Sequence, residues 1–166
     1  MMSVDSLIFG FMISQKMIEF TSAGIDEQQA LTLPENGGNC INWILGHVLR
    51  ARGRMIQSLG GEIPEIITKT ELYNRGGARE IQDSPGLLSL DVLRGALKES
   101  NTIMIEHLKA TTDEQLKQVL PADKFPVPVE VPTLGNLLNL LLFHESYHTG
   151  QIGFSRRLLG LEPVIR

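Results

Sequence analysis

Apolar residues recur at three- and four-residue spacing in four segments of the chain, the period of a helix with one buried face. The first segment runs from about Ser3 to Ala23, with Val4, Leu7, Ile8, Phe11 and Ile18 on its stripe and Gly24 as its stop. The second runs from about Cys40 to Leu59. Asn39 is its expected N-cap, Gly60-Gly61 ends it, and its stripe is Ile41, Ile44, Leu45, Val48, Arg52, Met55, Ile56 and Leu59. The third runs from about Leu90 to Ala110 behind Ser89, with Leu90, Leu93, Leu97, Met104 and Leu108 in line. The fourth runs from about Leu134 to Leu159 behind Thr133, with Leu134, Leu137, Leu138, Leu141, Ile152 and Leu159 on its face and Gly160 closing it.

The connectors set the topology. Residues 25–38 read as a loop with one short turn around Asp26 to Leu31. The segment from Gly61 to Ser89 is too long for a tight antiparallel turn, and Pro64, Gly76-Gly77 and Pro85-Gly86 break it. It has the length to cross the molecule and let the second and third helices run parallel. In the last connector Val127, Val129 and Val131 alternate, but four prolines between Leu120 and Pro132 allow only an extended or edge segment. Four amphipathic helices without a convincing strand predict an all-α four-helix bundle, a single domain over residues 1–166.

Composition narrows the function. Hydrophobic residues are 42% and charged residues 20%, the mix of a folded globular chain. Fifteen Lys and Arg stand against 19 Asp and Glu, which argues against nucleic acid or an anionic membrane as partner. The longest apolar run, Leu137 to Phe143, is too short to span a bilayer, and Asp5 precedes the apolar N-terminal stretch where a secretory signal carries basic residues. The single cysteine, Cys40, excludes an intramolecular disulfide and fits a reducing compartment. A cytoplasmic protein is expected.

Candidate chemistry lies in the histidines. His144 and His148 are four apart, which stacks two imidazoles about 6 Å apart on one face of the fourth helix, beside its apolar stripe. Buried imidazoles need partners, either a divalent metal or hydrogen-bonding groups of the core. The string HESYH matches the HExxH pattern of zinc proteases, but the 18 residues after His148 leave no room for that fold's further ligand. A di-iron site needs a second E-x-x-H, which the chain lacks. His47, in NCINWILGHV, is the remaining candidate. It points roughly 120° from the centre of its helix's apolar stripe, which suits a site at a groove mouth. Three neutral imidazoles leave open positions on a metal, the arrangement of a catalytic site. Arg50, Arg52 and Arg54 alternate and are not read as one helical face or an anion site, and His107 is read as solvated.

The strings NCINWILGHV and FHESYHTGQIGFSRRLLG together resemble the DinB-like (DinB/YfiT) family. The first matches its N-S-I-x-W-x-x-G-H-like signature through Asn39, Ile41, Trp43, Gly46 and His47. The second matches its H-x-x-Y-H-x-G-Q-I-like signature through His144, Tyr147, His148, Gly150, Gln151 and Ile152. Cys40 stands where a serine is common. The resemblance implies a four-helix bundle with a long crossover, a homodimer, and one divalent metal on His47, His144 and His148, with zinc or nickel foremost and iron or cobalt admissible. It further implies a small-molecule substrate and thiol-dependent transfer using a low-molecular-weight thiol. A hydrolase and a non-catalytic metal-binding bundle acting through dimerisation or a protein partner are the alternatives. Glu145 is a candidate general base on metal-bound water, a support for the ligands, or the partner of Arg52 in a buried salt bridge. Gln151 and Tyr147 are candidates to hold a ligand histidine or contact substrate, Tyr147 being read chiefly as a packing residue with a hydrogen-bonded hydroxyl. Trp43 is read as a core or dimer-interface residue.

Overall fold

Side-chain caps start most of the helices. Ser3, Ser89 and Thr133 each accept a hydrogen bond from the backbone N–H three residues on, at Ser6, Val92 and Asn136. Asp26 and Gln29 form a reciprocal capping box. The computed structural model describes residues 3–35, 37–77 and 80–164. Within them the helices are α1 (Val4–Ser22), α2 (Glu27–Leu31), α3 (Ile41–Ser58), α4 (Glu65–Thr68), α5 (Leu90–Lys109) and α6 (Leu134–Leu158). The four expected long helices are α1, α3, α5 and α6. The expected Asn39 cap of α3 is displaced: Cys40 occupies the cap position and makes no side-chain cap bond, since sulfur is a weak acceptor. Burial of Ile41, Trp43, Ile44 and Leu45 in the first turns stabilises that start instead.

The long helices pack in a ring, α3 on α5 and α6, and α1 on α5 and α6. Cross-contacts fix their directions. The Asn42 amide donates to the Leu88 carbonyl, Arg52 reaches Leu97 and Ser100, and Gly61 abuts His107, so α3 and α5 run parallel. Gly10 faces Leu142, Ser14 meets Glu145, and Gly153 approaches Thr21, so α1 and α6 also run parallel. The 61–89 connector is therefore the crossover that its length predicts. Inside the ring lie Leu7, Phe11 and Ile18 of α1, Leu45, Leu49 and Met55 of α3, Leu93, Leu97 and Met104 of α5, and Leu138, Leu141 and Ile152 of α6. Each such burial contributes on the order of 1.5–3 kcal/mol relative to exposure.

The connectors hold structure beyond the local pattern. The 61–89 segment contains α4 and a 3-10 turn at Glu71–Tyr73, which delivers the buried Tyr73 onto α3. A Cβ on Gly46 would lie 2.3 Å from the Tyr73 ring, so only glycine admits it. The Tyr73 hydroxyl accepts from Leu88 N–H at 2.8 Å and donates to Asn42 Oδ1 at 3.2 Å, which ties the crossover to α3. Among the described residues the valine-proline connector forms no strand. A single antiparallel bridge, Val119 to Thr133, closes its base.

Candidate metal centre

α3 and α6 bring His47, His144 and His148 together across their groove. His47 Nε2 lies 3.2 Å from His144 Nε2, and His148 Nε2 lies 3.1 Å from the same atom. The outer nitrogens decide what these inner ones carry. His47 Nδ1 faces the Tyr73 carbonyl at 2.8 Å, which only accepts, so Nδ1 holds the proton and Nε2 a lone pair. His148 Nδ1 donates to Gln151 Oε1 at 2.7 Å with the same result. Two lone pairs therefore converge on His144 Nε2, which has at most one proton to offer, while His144 Nδ1 is buried without a partner. In a purely imidazole cluster at least one of the two converging lone pairs is left without a proton, and a cation satisfies both. Tetrahedral zinc with Zn–N near 2.0–2.1 Å sets its ligand nitrogens about 3.3 Å apart, close to the 3.2 and 3.1 Å that separate His144 Nε2 from the other two. The donor set fits a divalent ion.

Electrostatics keep the rings in ligand form. Burial is the leading cause at all three and disfavours imidazolium. It pushes His144 down to about 4, with further lowering from His148, His47 and Arg54. His47 is lowered by burial and then by Arg50, Arg75 and Arg54, against the opposing effect of the Tyr73 carbonyl. The Trp43 indole stacks on the His47 ring at 4.7 Å and 11°, fixing its plane from the core side.

Glu145 takes a different place from a water-activating base. Its carboxylate is fully buried and accepts from Arg52 Nη2 at 2.5 Å, Arg52 Nε at 3.0 Å and Ser14 Oγ at 2.6 Å. Arg52 also donates to Gln15 Oε1 at 2.7 Å and to the Leu97 carbonyl. Of the alternatives for Glu145, the geometry is that of the Arg52 salt bridge, and its oxygens are absent from the set of converging ligand atoms. Gln151 holds His148, as described. Tyr147 departs from the packing reading: its ring is exposed, edge-on to His148 at 5.2 Å. His107 is half-buried against Gly61 rather than solvated. Cys40 is buried, and burial raises its thiol above the usual range. Sequence reasoning missed Tyr73, whose one indirect signal is the glycine at position 46 that makes room for it.

A DinB superfamily profile matches residues 14–152, a span that contains all three histidines and their supports. The chain belongs to the DinB superfamily. A crystal structure described as the conserved protein of a locus from Enterococcus faecalis shares the fold, with a TM-score of 0.70, 21% identity, and coverage of 95% of this chain and 97% of that one. No protein of curated function matches. In this DinB chain α3 supplies one imidazole and α6 two, and the crossover supplies the carbonyl that orients the first.

Proposed function

We propose that the protein is a metal-dependent enzyme with one divalent ion held by Nε2 of His47, His144 and His148. The convergence of three acceptor nitrogens, two of them fixed through Tyr73 and Gln151, supports this reading. Three protein ligands would leave open positions, where a bound ion would supply Lewis acidity to a thiol or water. The protein's part is to keep the imidazoles neutral by burial, to lock the tautomers of His47 and His148, and to hold His47 between Trp43 and Tyr73. Thiol-dependent transfer to a small electrophile is the reaction proposed, in keeping with the family resemblance and with a cytoplasmic location. Imidazole ligands suit zinc and nickel, and also iron and cobalt.

The chain is further proposed to act as a homodimer. The outer faces of α1 and α6 expose Phe9, Ile13 and Phe143, and Phe9 and Ile13 line a groove of about 580 Å³ between the two helices.

The experiment is metal content by mass spectrometry on chain purified without a polyhistidine tag, beside the His148→Ala variant. About one ion per chain in the parent and none in the variant is expected. A parent that neither carries nor takes up a divalent ion reduces the cluster to a packing feature and removes the proposed mechanism.

A further inference from the structure

α3 carries more than His47 on its outer side. Arg50 and Arg54 follow His47 by three and seven residues, so at about 100° per residue they lie within roughly 60° and 20° of its direction. The run Arg50, Arg52, Arg54 alternates in sequence, yet Arg52 alone turns inward, to Glu145. The other two share the face of His47, so the three together form no single face, as their alternation predicts. A third guanidinium, the exposed Arg75, follows Tyr73 by two residues, and it is the Tyr73 carbonyl that holds the His47 ring. Arg54 is anchored by donating from Nη2 to the Lys124 carbonyl at 3.1 Å.

These cations form no ion pair among the described residues. Among the described residues, the ion pairs are Arg52–Glu145, Lys69–Glu65, Arg94–Asp91 and Lys117–Glu114, and none involves Arg50, Arg54 or Arg75. Arg50 and Arg54 are one turn apart, a spacing at which like charges repel. A dication on the histidines adds to the same positive field, in a chain whose net charge is −4. The guanidinium fork pairs with carboxylates and other oxyanions at low reorganisation cost.

We propose that the substrate of this centre is anionic, with a carboxylate-type oxyanion bound by Arg50, Arg54 and Arg75 while its reacting end faces the three Nε2 atoms. This rests on the metal-site reading and adds a substrate class to it. The arginines then act in orientation and in attracting the ligand, so their effect declines as salt screens them.

The test uses the cobalt-substituted chain and three thiols of similar length: 3-mercaptopropionate, 2-mercaptoethanol and cysteamine. Binding is read from the visible spectrum and corrected for each thiol's own ionisation. The anionic thiol is expected to bind about tenfold tighter than the neutral one, with the cationic thiol weakest. That preference should vanish in the combined Arg50→Gln, Arg75→Gln variant. Equal binding of the three thiols, or a preference that survives in the variant, overturns the proposal while leaving the metal site standing. If no thiol perturbs the spectrum, thiol activation at the metal fails instead. The arginines are then judged by succinate titration of the metal-free chain, followed through the Arg Nε–H resonances. Saturating shifts at Arg50, Arg54 and Arg75 sustain the proposal, and their absence overturns it.

Discussion

The outer nitrogens of His47 and His148 govern the site as much as the inner ones. Tyr73 and Gln151 fix the protons of His47 and His148, and burial keeps all three rings neutral. The depressed imidazole pKa values carry a pH dependence whose sign follows from linkage. In the unfolded chain a histidine titrates near its ordinary 6.5, whereas in the fold His144 titrates at about 4. Between those values the unfolded state binds more protons. The metal-free chain is therefore expected to hold the His144 contribution to stability in full only above pH 6.5 and to lose it progressively as pH falls toward 4. Urea unfolding from pH 7.5 to 4.5 checks this. A flat profile across that window would show that the rings are not held neutral. The three histidines of the candidate site were legible in sequence because each sits in a short motif. Tyr73 was not, since nothing local to it signals that its carbonyl meets a ring 26 residues away.

Helix pairing depends on a buried ionic pair one step inward from the ligands. Arg52 is five residues beyond His47 on α3, and Glu145 directly follows His144 on α6. Their pairing, with Ser14 and Gln15 of α1 and Leu97 of α5, touches all four long helices. Removing one partner strands a buried charge. Arg52→Met alone is expected to cost about 3–5 kcal/mol, whereas Arg52→Met with Glu145→Leu should fall within about 1 kcal/mol of the parent or above it. Urea midpoints of the two variants decide between these outcomes; equal losses would mean that the pair is not an isolated ionic contact. Caps and periodicity made the helices readable, down to Ser89 and Thr133. The α3 start was misplaced by one residue because Asn39 is the better capping side chain, while packing of Ile41 and Trp43 decides where the helix begins.

The assembled molecule presents an apolar outer face on α1 and α6, where Phe9 is 67% and Phe143 is 70% exposed. Such a face is costly in water unless covered. Light scattering after size exclusion is expected to give twice the 18.4 kDa chain mass, falling to the single mass in Phe9→Ser, Ile13→Ser. A parent that stays monomeric at high micromolar concentration refutes the self-association. No described helix is long and apolar enough to cross a membrane.

Helices, their caps and the ligand motifs belong to local sequence, because periodicity and hydrogen bonds over one or two turns decide them. The meeting of His47 with a histidine 97 residues away does not. It requires α3 and α6 to pack at one depth and the crossover to lay Tyr73 on Gly46, and that arrangement comes from long-range burial. The inward turn of Arg52 away from Arg50 and Arg54 has the same origin. The sequence shows three arginines at alternate positions. Only the packed bundle separates the one whose charge is met by Glu145 from the two that stand unpaired beside the site.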